Sequence, residues 1–133
     1  MPSHSAPADA RSLAEISAVL GTYFDGLYRS DTERLARVFH PAATYACASD
    51  GTLLIRTMAE YLPIVAARPA PADSNLPRQD RIIGIELAGP VTALARVECA
   101  IAPHGFIDLL TLIRIDGRWQ IIAKVFHRYT LTD

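Results

Sequence analysis

Phe106-Ile-Asp-Leu-Leu-Thr-Leu-Ile-Arg-Ile-Asp-Gly-Arg-Trp-Gln-Ile-Ile-Ala-Lys-Val-Phe-His-Arg-Tyr129 reads as one long β-hairpin, and it decides the fold. Asp116-Gly117 between two β-rich runs is a strong hairpin signal, because a type I′ turn needs positive φ at both central positions. That turn pairs Ile115 with Arg118 and sets the register back along both strands. Side chains alternate across a sheet, so Phe106, Asp108, Leu110, Leu112, Arg114, Trp119, Ile121, Ala123, Val125, His127 and Tyr129 are expected on one face. Ile107, Leu109, Thr111, Ile113, Gln120, Ile122, Lys124, Phe126 and Arg128 fall on the other. In this register Asp108 is a lone carboxylate on an apolar face, opposite Val125 and diagonal to His127. Left ionised and unpaired it would be costly, so it must be protonated, paired or beside a wet pocket.

Upstream, three Ser/Thr-x-x-Glu capping boxes mark helix starts at Ser12/Glu15, Ser30/Glu33 and Thr57/Glu60. The first helix, to about Tyr28, buries Leu13, Ile16, Leu20, Tyr23 or Phe24, and Leu27 at helical spacing. The second is short, carries Leu35, Val38 and Phe39, and stops before Pro41. Small strands are expected over 43–48 and 52–56 around Asp50-Gly51, and Pro63 predicts a kink or late start in the third helix. Arg68 to Pro77 holds three prolines and reads as a loop. Four strands follow, 79–88, 91–102, 105–115 and 118–129, as an antiparallel meander turning at Gly89-Pro90, Pro103-His104 and Asp116-Gly117. A two-residue turn at Pro103-His104 puts Cys99 beside Asp108 and Glu98 near Lys124 on the opposite face. Helices first and a sheet afterwards predict an α+β fold with the helices on one sheet face.

A chain of 133 residues makes a single domain, here 11–133 after a flexible tail over 1–10. The formal net charge of -1 speaks against a nucleic-acid partner. Cys47 and Cys99 are the two cysteines, and residues 1–10 lack the apolar run of a signal peptide, so a cytoplasmic protein with free thiols is expected. No stretch is long and apolar enough for a membrane helix. The histidines share no metal-ligand spacing and no Gly-rich phosphate loop occurs, so neither metal nor cofactor is expected.

Tyr23-Phe-Asp-Gly-Leu-Tyr-Arg-Ser-Asp31, Leu35-Ala-Arg-Val-Phe-His-Pro-Ala-Ala-Thr-Tyr45 and the hairpin segment from Asp108 to Phe126 together resemble the nuclear transport factor 2-like superfamily. The resemblance covers roughly Leu13 to Tyr129. It implies a curved sheet wrapped around helices to make a cone with a pocket. The terminal segment is most similar to the group labelled putative lumazine-binding proteins. More distantly the chain resembles the ketosteroid isomerases and SnoaL-like polyketide cyclases. In the isomerases a first-helix tyrosine and a protonated late-strand acid hold an oxyanion while an aspartate is the base, a case the general theory of acid–base tuning already uses. Tyr23 and Asp108 match the first two positions. Cys47 stands where the base would be, and a buried thiol is a poor proton acceptor.

The partner expected for Asp108 is Arg81, because Arg81, Ile83, Ile85 and Leu87 form the more apolar alternation of their strand. The opposite register would turn Asp80, Ile82, Gly84 and Glu86 inward, and a bulge could mix the two. His127 is a candidate acid or base near neutral pH, whereas His40 before Pro41 suits a helix end. Tyr23, Phe39, Tyr45, Cys47, Arg81, Cys99, Asp108 and His127 are the expected ligand-lining residues, with Asp108, His127 and Tyr23 the candidates for catalysis. The preferred function is small-molecule binding between the helices and the concave sheet face. The rivals are an isomerase, cyclase or dehydratase moving a proton through Asp108 or His127, and a non-catalytic assembly module. An open cavity favours the first two; a closed, filled core favours assembly. The face holding Thr111, Ile113, Gln120, Ile122, Lys124 and Phe126 is too apolar to leave in water, which predicts a homodimer.

Overall fold

A computed structural model of the protein describes residues 6–132. Of the tail expected over 1–10, residues 1–5, with His4, lie outside the described residues. Helix α1 runs Ala6–Arg29, so it starts a turn and a half before the Ser12/Glu15 box. Its buried stripe is Ile16, Leu20, Tyr23, Phe24 and Leu27, while Leu13 stays on the exposed side. Helix α2 is Thr32–Val38. Its cap is Asp31, not Ser30: the Asp31 carboxylate accepts from the N–H groups of Glu33 and Arg34 at 3.1 and 3.2 Å. Ser30 instead takes the left-handed turn, φ 49°. The two helices approach so closely that a Cβ on Gly26 would meet the Leu35 side chain at 2.7 Å, which is why glycine stands there.

Strand β1 (Phe39–Cys47) takes over at once, claiming Phe39 from the helix the sequence suggested. Strand β2 is Leu54–Thr57 and helix α3 Met58–Ala67, opened by the expected Thr57/Glu60 capping box and carrying Pro63 inside it. The proline-rich segment contains one short turn of 3-10 helix, η1 (Pro71–Ser74). Strands β3 (Gln79–Leu87), β4 (Thr92–Ile101), β5 (His104–Ile115) and β6 (Arg118–Thr130) complete a six-stranded sheet in the order β2-β1-β6-β5-β4-β3. All neighbours are antiparallel except β1 and β6, which pair in parallel. The meander is therefore extended on one side by two strands from the N-terminal half.

The β5–β6 turn forms as the sequence requires, with Asp116 at φ 51° and Gly117 at 75°. Trp119 opposes Arg114 and Ile121 opposes Leu112, but the ladder then slips: Thr111 faces Ala123, and Asp108 faces Phe126 rather than Val125. Ile122 is the extra residue of a β-bulge. Beyond a bulge the alternation inverts. Lys124 and Phe126 are turned into the core, and Val125, His127 and Tyr129 go to the outer face. A second bulge between Ile82 and Gly84 inverts β3 in the same way, leaving Asp80 opposite Cys99 and Arg81 opposite Glu98. The β4–β5 connection is Ala102-Pro103, one residue earlier than expected, so Val97 and not Cys99 opposes Asp108. Such bulges bend and twist the sheet into the cone. Its concave face closes on the helices around Leu20, Tyr23, Leu35, Phe39, Tyr61, Val97, Leu110, Leu112 and Ile121.

Candidate functional site

The inverted register places two opposite charges inside the cone. Asp108 is 0% exposed and Lys124 4%, with Lys124 Nζ 3.9 Å from Asp108 Oδ2. The Tyr23 hydroxyl, one helix away, donates to the same Oδ2 at 2.5 Å. The second oxygen, Oδ1, has no hydrogen-bond partner among the described residues. Lys124 also lies against aromatic rings, its Nζ being 5.2, 5.3, 5.8 and 5.0 Å from the ring centres of Tyr23, Tyr45, Tyr61 and Phe126. Such ring faces attract a cation most when water is excluded. The rings brace one another: Tyr45 stacks on Tyr61 at 4.4 Å, and Phe39 meets Tyr23 and Tyr61 edge-on.

Burial, the largest single influence, pushes the Lys124 ammonium toward giving up its proton, but Asp108 together with Tyr61, Tyr45 and Cys99 outweighs it and holds the amine above its ordinary range. Burial, reinforced by Asp108, pushes the Tyr23 hydroxyl well above the usual tyrosine value. The same two causes raise the Cys99 thiol to about 12. Tyr45 is raised chiefly by burial, against the opposing pull of Lys124. Near neutral pH the cluster therefore contains a charged lysine, a neutral tyrosine and an unreactive thiol.

These shifts share a sign. Lys124, Tyr23 and Cys99 each hold a proton more tightly folded than unfolded, so their contribution to stability is complete at neutral pH. It is lost as pH rises above the ordinary values of 9.0 for cysteine, 10.0 for tyrosine and 10.5 for lysine. Denaturant midpoints should accordingly hold from pH 7 to 8 and fall steeply from about pH 9 upward. A Lys124→Met/Tyr23→Phe protein should show a shallower alkaline fall.

Several expected site residues are not at this cluster. Arg81 points outward, well exposed, and pairs with Glu98 at 3.0 Å; it is not the partner of Asp108, and the expected Glu98–Lys124 pair does not form. His127 is exposed on the outer face, its Nδ1 3.1 Å from Ser49 Oγ, because the bulge turned it away. Tyr23, Phe39 and Asp108 are buried inside the cone, and the partly buried Tyr45 packs against the same core. Cys47 and Cys99 are free thiols of intermediate burial. The residues missed were Lys124, Tyr61 and Phe126. Tyr61 was accessible from helical spacing, since Met58, Tyr61 and Val65 fall on one buried stripe of α3.

Among the described residues, two of the surface recesses border residues expected at the site. One, of about 270 Å³, is lined by Arg78, Asp80, Cys99 and Tyr129 among others. Arg78 closes its helix side, binding Asp25 at 2.8 Å and Asp80 at 3.0 Å and lying 4.9 Å over the Tyr28 ring. The Tyr28 hydroxyl in turn donates to the Leu76 carbonyl, tying down the proline-rich loop. The other, an apolar groove of about 330 Å³, reaches Phe39 from between α2 and α3, with Met58, Leu62 and Pro63 in its walls. Among the described residues no three His, Cys, Asp or Glu side chains gather as metal ligands, and no helix is long and apolar enough to cross a membrane.

Three helices packed into a curved, mostly antiparallel six-stranded sheet define a nuclear transport factor 2-like domain. Solved structures share this architecture. A protein of unknown function from Shewanella baltica, itself described as NTF2-like, superposes with a TM-score of 0.81 at 21% identity, covering 92% of this chain and 97% of that one. A ketosteroid isomerase-like protein from Erwinia carotovora atroseptica gives 0.70 at 13% identity, covering 90% and 97%. More narrowly, the chain belongs to the family described as Putative lumazine-binding, whose model matches residues 11–127. The curated protein Aldolase FrzH of a Cladobotryum species is 25% identical over 121 residues, 87% of this chain and 93% of that protein.

Proposed function

We propose that this protein binds a small, flat, carbonyl-bearing molecule inside the cone, against Asp108, Lys124 and the surrounding rings. The observation that carries the reading is unspent hydrogen-bonding capacity in a sealed place. Asp108 Oδ1 has no hydrogen-bond partner among the described residues, and Lys124 Nζ, at 3.9 Å from Oδ2, stands beyond hydrogen-bond distance of the carboxylate oxygen it pairs with. Buried polar atoms in native proteins nearly always have partners, and a buried ion pair retained only for structure needs close geometry and full bonding to offset its desolvation. A carbonyl oxygen offered to Lys124 and a hydrogen offered to Asp108 Oδ1 would complete both. The relative named an aldolase supports a carbonyl ligand, since that word denotes carbonyl chemistry. Two free thiols support a reducing, cytoplasmic setting.

The interior is closed, which taken alone favours an assembly module over a binding protein. The incomplete polar pair weighs more, because assembly through the outer face gives no reason to bury it. Entry then requires a movement of the side chains packed around Asp108 and Lys124. The test is native mass spectrometry of freshly purified protein, followed by thermal-shift screening of ring-shaped ketones, phenols and flavin precursors. A true ligand raises the melting temperature with concentration. If no compound does so for the wild type, or if hits act equally on Asp108→Asn and Lys124→Met proteins, the reading falls.

The same proposal includes a homodimer through the outer sheet face. Ile55, Ala46, Val125 and Leu109 lie side by side across β2, β1, β6 and β5, and Leu94 lies on the next row opposite Thr111. The large members of this band are exposed, with Ile55 at 60% and Val125 at 52%, and the helices pack on the opposite face. Lys124 and Phe126, counted on this face by the simple register, have left it. A second copy related by a twofold axis would cover the band with itself. Sedimentation should give a dimer that Leu109→Lys converts to a folded monomer; a monomeric wild type at tens of micromolar would refute this part.

A further inference from the structure

We infer that the trough between α2 and α3, outside the cone, is a second binding site and takes a linear aliphatic amine as its ammonium ion. The site stands apart from the reading above, since neither Asp108 nor Lys124 is in its walls. The groove of about 330 Å³ that reaches Phe39 continues into a second recess of about 400 Å³, and the two share Ala36, Leu62 and Pro63. Together they follow α3 from Met58 to Ala66, a run of about 12 Å at the rise of a helix. Local sequence leaves this space open. Ala36 on α2 and Ala59 and Ala66 on α3 are too short to fill the gap between the helices, and Leu62 and Pro63 make its wall apolar.

The trough is polar at one end only. The inner groove is lined by apolar residues alone, whereas the outer recess adds Thr32 and Glu33. Glu33 is the one charged side chain in either wall, and its carboxylate is in no ion pair among the described residues. Arg37, one turn on, turns its Nε to the Glu33 carbonyl and not to the carboxylate. An anionic head is disfavoured here, because the N–H groups of Glu33 and Arg34 are already given to Asp31 and the Arg34 guanidinium is paired with the same carboxylate. What remains is a negative charge with a hydroxyl oxygen beside it, the complement of an ammonium with three N–H donors. Burying the hydrocarbon tail against Leu62, Met58 and Phe39 drives binding, and the head fixes its direction. The dimensions select a small molecule over a protein partner. The walls hold ten residues between them, whereas a stable protein interface takes about 20–30 from each side.

Isothermal titration of the full-length protein with n-octylamine at neutral pH, below the concentration at which the amine self-associates, should show one saturable site per chain. 1-Octanol should bind more weakly, and octanoate hardly at all. Glu33→Gln should weaken the amine about two- to fivefold, the range of an exposed ion pair, without weakening the alcohol. Glu33→Lys should reverse the order, with octanoate then binding better than the amine. Ala36→Trp, which fills the middle of the trough, should abolish binding of all three. Glu33 and Ala36 are both exposed, so these proteins should fold as the wild type does. Octanoate bound as tightly as octylamine, or an unchanged order in Glu33→Lys, would overturn the ammonium assignment. Binding retained in Ala36→Trp would place the amine elsewhere, and no saturable binding to the wild type would remove the site. A change in the sedimentation of ligand-free protein on Ala36→Trp would show that a second copy covers the trough, which also refutes the proposal.

Discussion

Lys124→Met should abolish ligand stabilisation and lower folding stability by about 3–5 kcal/mol at neutral pH, the usual cost of removing one side of a buried ion pair. Methionine fills much the same volume and suits an aromatic surround, so the loss comes from charge and not from a cavity. What is left behind is Asp108, 0% exposed, with Tyr23 as its remaining partner. Urea midpoints and thermal-shift titrations on the same preparations check both parts. A stable variant with intact ligand response would mean that Lys124 is only a lysine stem packed among rings.

Asp108→Asn is expected to cost a similar amount, about 3–5 kcal/mol, for the complementary reason: the amide still accepts from Tyr23, but the Lys124 cation loses its counter-charge. Ligand response should weaken sharply, because the carboxylate that offers Oδ1 to the ligand is gone. Because the true partner is Lys124 and not Arg81, Arg81→Ala should leave both stability and binding nearly unchanged, as expected for an exposed pair. A large loss of stability with unchanged affinity in the folded fraction would remove Asp108 from the site.

Much of the fold was legible because local signals agreed with one another. Asp116-Gly117 demanded a hairpin, Thr57/Glu60 a helix start, and the stripe through Ile16, Leu20, Tyr23 and Leu27 a helix buried on one side. Asp108 was found because a charge on an apolar alternation stands out. Its partner was not found because alternation is reliable only up to the first bulge. Ile121-Ile122-Ala123 is apolar at every position, so nothing in that run records which residue is the extra one. The residue brought inward was a lysine, the type least expected in a core. In β3 the same inversion at Ile83 exchanged Arg81 for Asp80. Both errors moved a cation across the sheet, one inward and one outward. Simple alternation therefore places Asp108 on the buried face and Lys124 on the outer one, whereas the bulge brings both inside.

The most direct measurement is the ligand response of the double variant Asp108→Asn/Lys124→Met. Neutralising both members of a buried pair removes the uncompensated charge, so this protein should recover most of the stability lost by either single change. If the pair is the ligand site, the recovered protein will melt near the wild-type temperature and show no shift with compounds that stabilise the wild type. Wild-type ligand shifts in that double variant would contradict the account, because the pair would then be part of the frame and the ligand would bind elsewhere.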